Sequence, residues 1–224
     1  MLSFFSAYKK FAIVFAIISL VIISIIYNIL DVEAPLPIYQ PAQVAQDLVD
    51  TSLIDVKKYH KIADFSLTNQ NGKTITQDDY KDKIYVADFF FTTCQTICPI
   101  MTQHMEQIQQ EILNDDEVML LSHTVTPEID TVAQLKRYAI AKGVNDSKWN
   151  LVTGSKKAIY ELARKSYLAV KTTGNGDAYD MIHTENFMLI DKKRQIRGFY
   201  DGTDPEAIDK LLNDISNLKK EYKK

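Results

Sequence analysis

Acidic residues are missing from the first thirty positions, and no charge of either sign falls between Phe11 and Leu30. Cysteine is nearly absent too, with two in 224 residues, and there are only four histidines. Basic charge is not in excess, since 26 Lys and Arg stand against 29 Asp and Glu for a formal net charge of −3. Internal repeats and low-complexity tracts are also lacking. Each shortage excludes something. Without a basic surplus the chain is poorly suited to a phosphate backbone, so no nucleic-acid partner is expected. Two cysteines cannot make a disulfide framework. Cys94 and Cys98 lie four residues apart and would close too small a loop to constrain the unfolded chain much, so they are expected to carry chemistry. What is present, 46% hydrophobic and 25% charged residues, describes one folded domain with appendages.

The uncharged segment 11–30 reads FAIVFAIISLVIISIIYNIL. At about 1.5 Å per residue a helix of that length spans the roughly 30 Å hydrocarbon layer. Lys9 and Lys10 precede it, while Asp31 and Glu33 follow, so the positive-inside bias places residues 1–10 in the cytoplasm and the remainder outside. A cleaved signal peptide has a shorter core and a small-residue cleavage site. This segment ends Tyr27-Asn28-Ile29-Leu30 with no A-x-A pattern, which favours an uncleaved anchor. Residues 31–58, with Pro35, Pro37 and Pro41, read as an extended linker in which Leu36-Pro37-Ile38-Tyr39 can dock along the domain. Residues 59–224 form that domain.

Its pattern alternates strands and helices. Asp64–Thr68 and Lys73–Thr76 flank Asn71-Gly72, a hairpin turn signal. KIYVADFFF, Lys83–Phe91, has the apolar run of a buried strand. A helix follows Pro99, then a strand at Glu117–Val125, a helix at Asp130–Lys142, a short strand at Trp149–Val152 and a helix opened by Ser155. Phe187–Asp191 and Gln195–Tyr200 read as an antiparallel pair, and Asp204-Pro205 opens a last helix, Asp as cap and Pro in the first turn. This order implies an α/β, thioredoxin-like fold with an added N-terminal β-hairpin.

The buried strand runs into Thr92-Thr93-Cys94-Gln95-Thr96-Ile97-Cys98-Pro99. Proline is tolerated only in the first turn of a helix, so a helix must begin close to Cys98. Both thiols then meet the free amides and positive dipole of a helix N-terminus, which favours thiolate. Met101, Met105, Ile108 and Ile112 continue as a core-facing stripe. The spacing is C-x-x-x-C rather than the C-x-x-C of thioredoxin-like reductases. Such a pair can close a disulfide, or it can hold a soft metal, Cu(I) on two sulfurs and Cu(II) or Zn(II) when more ligands join. In thioredoxin folds the loop before the penultimate strand crosses the cysteine pair and usually carries a cis-proline. Here that loop is Ile182-His183-Thr184-Glu185-Asn186, which makes His183 the candidate third ligand. His60, His104 and His123 are expected to be structural or on the surface. Asp88 interrupts the apolar strand six residues before Cys94, the offset at which thioredoxin has a buried aspartate that moves protons to and from its thiols. Burial would suit it to that task.

Taken together, these residues resemble the Sco/SenC family, membrane-anchored proteins involved in assembling the copper centres of cytochrome c oxidase. The resemblance runs from about Ile62 to Leu212. It includes the FFFTTCQTICP block, Ser122–Thr131, Trp149 with Leu151–Ser155, His183-Thr184 before FMLID, and Ile196-Arg197-Gly198. The turn Lys192-Lys193-Arg194 lacks the family's usual glycine, and Ile182 replaces an acidic residue that often precedes the histidine. The resemblance implies copper bound by Cys94, Cys98 and His183 and a metallochaperone that delivers it to the copper-bearing oxidase subunit. A copper donor or thiol reductant would be a further partner. It implies a single-pass protein of the cell inner membrane with its domain in the periplasm, or of the mitochondrial inner membrane in a eukaryote. The competing reading is a thiol–disulfide reductase in which Cys94 attacks, Cys98 resolves and Asp88 moves the proton. A peroxidase and a copper or redox sensor rank below both.

Overall fold

A computed structural model of the chain describes residues 8–30, 35–50, 52–170, 182 and 184–223. They fall into two compact units, Met1–Pro35 and Leu36–Lys224. The first unit is the helix α1, Lys9–Leu30. Among the described residues no helix is long and apolar enough to cross a membrane.

The second unit is built on a seven-stranded sheet: β1 (Ser66–Asn69), β2 (Thr74–Thr76), β3 (Ile84–Phe90), β4 (Val118–Thr124), β5 (Trp149–Thr153), β6 (Asn186–Ile190) and β7 (Ile196–Asp201). Their order is β2-β1-β5-β4-β3-β6-β7. The central pairs β3–β4 and β4–β5 are parallel and all others antiparallel. This is a thioredoxin-like sheet with a hairpin added at one edge. In that hairpin Gly72 adopts φ +75°, a conformation glycine enters without a Cβ clash. Arg194 holds φ +64° in the β6–β7 turn, where the absent glycine leaves an L-residue to carry a cost of about 1–2 kcal/mol.

All seven residues of β3 are buried, so the strand needs cover on both faces. Ile84, Val86 and Phe90 pack under α2 (Cys98–Glu111), α3 (Val132–Ala141) and α5 (Pro205–Glu221). Tyr85, Ala87 and Phe89 face α4 (Lys156–Glu161) and the π turn Leu162–Ser166 that continues it. The stripe of α2 is as its spacing predicts: Met101, Met105, Ile108 and Ile112 are each at most 4% exposed. At about 1.5–3 kcal/mol for a fully buried side chain, that stripe holds the thiol-bearing end of α2 against the sheet. Helix α5 begins as expected, with the Asp204 carboxylate accepting the Glu206 amide at 3.0 Å.

The π turn could not be read from periodicity. A π turn adds one residue to a helical turn and shifts everything after it. Tyr167, the next residue, points inward, its hydroxyl 3.3 Å from that of Tyr85. His60 fastens the same turn through Nε2, 2.8 Å from the Ser166 carbonyl.

Leu36–Tyr39 docks along β7. The Tyr39 amide donates to the Ile196 carbonyl at 2.9 Å, and the Tyr39 ring meets Phe199 edge-on. Arg197 anchors the segment, donating to the Pro37 carbonyl at 3.1 Å and the Leu36 carbonyl at 2.7 Å. It also pairs with Asp191 at 3.1 Å and Glu221 at 2.6 Å, and both Arg197 and Asp191 are at most 5% exposed. The docked segment covers a strand edge that would otherwise be open to pairing with another chain. Replacing Arg197 with Ala leaves Asp191 buried without its cation, so a loss of about 3–5 kcal/mol is expected in urea unfolding. A loss under about 1 kcal/mol would show that the cluster is not what holds the segment.

Candidate thiol and metal site

The parallel register of β3 and β4, Ile84 opposite Val118 through Phe90 opposite Thr124, brings the carboxyl ends of both strands to one pole. Open α/β sheets carry their sites at such ends. From β3 the chain passes through residues 91–97 and enters α2 at Cys98, with Pro99 in the first turn. Cys98 is therefore fixed by the helix and is 3% exposed, whereas Cys94 sits on the loop and is half-buried. Both are free thiols.

The Cys98 amide donates to Cys94 Sγ at 3.4 Å, and the Thr96 hydroxyl lies 3.6 Å from the same sulfur. Desolvation works to raise the Cys94 thiol. The Cys98 thiol, the Cys98 amide and Thr96, all donating to the sulfur, outweigh it and bring Cys94 down to about 7. Burial pushes Cys98 the other way, to about 12, helped by the bond to Cys94 and opposed by the Phe91 backbone. One thiol is primed and accessible, the other buried and protonated.

Asp88 lies behind them, on the face of β3 that carries Val86 and Phe90, and is 3% exposed. Burial raises its carboxyl to about 7, a hydrogen bond from Ser122 opposing the shift. Its Oδ1 has no partner among the described residues. Ser122 stands opposite Asp88 in the β3–β4 ladder and also accepts the Trp149 indole N–H at 2.8 Å. The Asp88 charge acts on Cys98, as it does on Tyr138, whose hydroxyl is 2.7 Å from that of Thr102 on α2.

His123 faces the opposite side of the sheet. Its Nδ1 lies 3.3 Å from the Asp88 carbonyl, and its ring stacks on Phe89 at 4.9 Å. A carbonyl only accepts, so Nδ1 carries the proton. Burial drops the imidazole to about 4 and keeps it neutral. His104 bonds the Gly202 carbonyl at 2.7 Å. His60 and His104 fasten loops, and His123 packs inside the core. His183 lies outside the described residues. Its neighbours Ile182 and Thr184 are buried, at 5% and 6% exposure. Among the described residues no group of three or more His, Cys, Asp or Glu could hold a metal.

Of the residues named from the sequence, the fold brings Cys94 against Cys98 and sets Asp88 on the sheet face that Cys98 packs over. Sequence reasoning passed over Asp130, which is fully buried and accepts from Thr92, Thr124 and Thr126. Hydroxyl residues at or just beyond the ends of two apolar strands, with a carboxylate nearby, were the available signal.

The SCO1/SenC family model matches residues 55–220. The chain belongs to the SCO1/SenC family. It is 31% identical over 160 residues to the SCO1 protein homolog of Bacillus subtilis (strain 168), covering 70% of this chain and 82% of that protein. Among solved structures it resembles BsSco, a member of the Sco family of cytochrome c oxidase assembly proteins in which a disulfide switch has been identified. That match has 32% identity, covers 71% of this chain and 93% of BsSco, and has a TM-score of 0.61. The structure of Arabidopsis thaliana ScoI with copper bound matches at 25% identity over 69% of this chain and 97% of ScoI, with a TM-score of 0.54.

Two outcomes follow for this SCO1/SenC protein. Iodoacetamide at neutral pH should modify Cys94 first, with a rate that rises through about pH 7, while Cys98 reacts only after unfolding. Equal rates at the two thiols would contradict the asymmetry. Asp88 keeps its proton in the folded state up to about pH 7, whereas the unfolded chain loses it near pH 4. Stability should therefore fall as pH rises between about 4 and 7, and Asp88→Asn should remove that slope in urea titrations. An unchanged slope in the variant would show Asp88 ionising freely in the fold.

Proposed function

We propose that this protein is a metallochaperone that holds copper through Cys94, Cys98 and His183 and passes it to the copper-bearing subunit of cytochrome c oxidase during assembly. The observation that carries the reading is the thiol pair: two free cysteines at an open pole, one accessible and one buried, in a chain of the SCO1/SenC family. Two thiolates form a soft donor set suited to Cu(I), and an added imidazole extends it to Cu(II). In support of His183, β6 runs antiparallel to β3, with Tyr85 opposite Ile190 and Ala87 opposite Met188. The described residues that lead into β6 therefore approach the thiol pole. Copper here is cargo, exchanged from sulfur to sulfur one bond at a time with the recipient, and a separate donor or reductant readies the site.

The anchor belongs to the same proposal. Segment 11–30 carries no charge, Lys9 and Lys10 precede it, and residues Lys9–Leu30 are helical. A single span with the domain outside the cytoplasm would bring the thiols to the face on which the oxidase receives its copper.

A second reading is favoured by the unequal thiols. In a thiol–disulfide reductase for the recipient's cysteines, Cys94 attacks, Cys98 resolves the mixed disulfide, and Asp88 takes the Cys98 proton. Variants of the full chain in detergent separate the two. Cys94→Ala and Cys98→Ala should each abolish stoichiometric Cu(I) binding. His183→Ala should cost Cu(II) binding severely while sparing some Cu(I) binding and disulfide exchange. In cells short of copper, His183→Ala should lower oxidase assembly, and added copper should partly restore it. Wild-type oxidase levels in that strain, with either cysteine variant failing, would overturn the chaperone in favour of the reductase.

A further inference from the structure

Asp130 is fully buried, and its described partners are all neutral. Thr92 donates twice, its amide to Oδ2 at 3.2 Å and its hydroxyl to Oδ1 at 2.5 Å. The Thr124 hydroxyl donates to Oδ2, and the Thr126 hydroxyl donates to the same atom at 3.1 Å. Gln134, in the first turn of α3, donates to the Thr92 hydroxyl at 3.0 Å. The carboxylate thus ties the segment just past β3 to the last residue of β4 and the segment beyond it. A buried carboxylate bound by four donors resists displacement, because losing any one leaves charge poorly solvated.

The consequence falls on the thiols. Cys98 is held by α2 and the core beneath it. Cys94, four residues earlier, sits on the loop and packs only partly against that core: its amide bonds the Phe91 carbonyl at 3.3 Å, and its sulfur accepts the Cys98 amide at 3.4 Å. Between β3 and Cys94, Phe91 packs on the core of both sheet faces, and Thr92 is gripped at both amide and hydroxyl by Asp130. We propose that Asp130 is a positioning residue that, through Thr92, sets the separation of Cys94 from Cys98 and so how tightly the pair grips a soft cation. This rests on reading the pair as the copper-holding site. A loop released from Asp130 must be ordered again each time both sulfurs engage one ion, and that entropy is taken from affinity.

The full chain in detergent is titrated with Cu(I) against a chelating dye, and Cys94 alkylation by iodoacetamide is timed in the same preparations. Thr92→Val keeps the side chain's shape but deletes the hydroxyl, and Thr92→Ser restores it. Thr92→Val and Asp130→Asn should weaken Cu(I) retention about tenfold, the effect expected from losing one charge-assisted hydrogen bond. Both should also change the Cys94 alkylation rate several-fold, while Thr92→Ser matches the wild type in both measurements. Urea unfolding of Thr92→Val identifies any effect that is merely loss of fold. Thr92→Val behaving as wild type in both readouts, or Thr92→Ser as impaired as Thr92→Val, would overturn the proposal. If the wild-type chain takes up no Cu(I), the copper reading fails, and the alkylation rates of the Val and Ser variants still decide whether Asp130 positions Cys94.

Discussion

The parallel pairing of β3 with β4, unbroken over seven residues, fixes where the rest of the molecule must lie. A strand buried on both faces demands a helical layer on each side, and parallel neighbours demand crossover helices rather than tight turns. The crossover after β3 is α2, so the residues that leave β3 are also those that enter a helix N-terminus. Cys94 and Cys98 occupy the two halves of that junction. One belongs to a loop and the other to a helix, and that division underlies the unequal exposure and unequal acidity of two thiols so close in sequence.

The centre of this sheet is not purely apolar. Asp88 and His123 occupy facing strands but opposite faces, and each leaves one buried side-chain atom without a partner among the described residues. Each such atom costs about 1–3 kcal/mol. His123 avoids a larger penalty by staying neutral among Phe65, Phe89 and Tyr167. Asp88 avoids it by keeping its proton to about pH 7. Of the two, only Asp88 faces the layer that holds Cys98, so the same desolvation is structural background on one face and part of the thiol environment on the other.

Polar clusters do complementary work at the edges of the sheet. Arg197, with Asp191 and Glu221, closes the β7 edge by holding Leu36–Tyr39 along it. Asp130, with its three threonines, closes the loops at the thiol pole. Each joins a segment to residues distant in sequence, Leu36 and Pro37 to Arg197 and Thr92 to Asp130, and so holds backbone that lies outside the regular elements. The hydrophobic layers determine that there is a sheet and helices; these clusters determine where the chain outside them is held.

Much of this was legible in the sequence, for identifiable reasons. Strand and helix patterns in 64–76, 83–91 and 204–221 come from local signals, such as a turn glycine, an uninterrupted apolar run, or a cap followed by proline, and these act over a few residues. Cys94 and Cys98 could be recognised as a functional pair from spacing alone, because Pro99 requires a helix start beside them. Tertiary structure alone decided what depends on distant partners. The unlike character of the two thiols arises from burial and from bonds across the junction. The π turn before Tyr167 depends on packing against Tyr85 and the bond from His60. Asp130 looks in sequence like one more acidic residue ahead of a helix. Its role exists only because folding brings Thr92, Thr124 and Thr126 around one carboxylate, and no local pattern records a contact that spans 38 residues of chain.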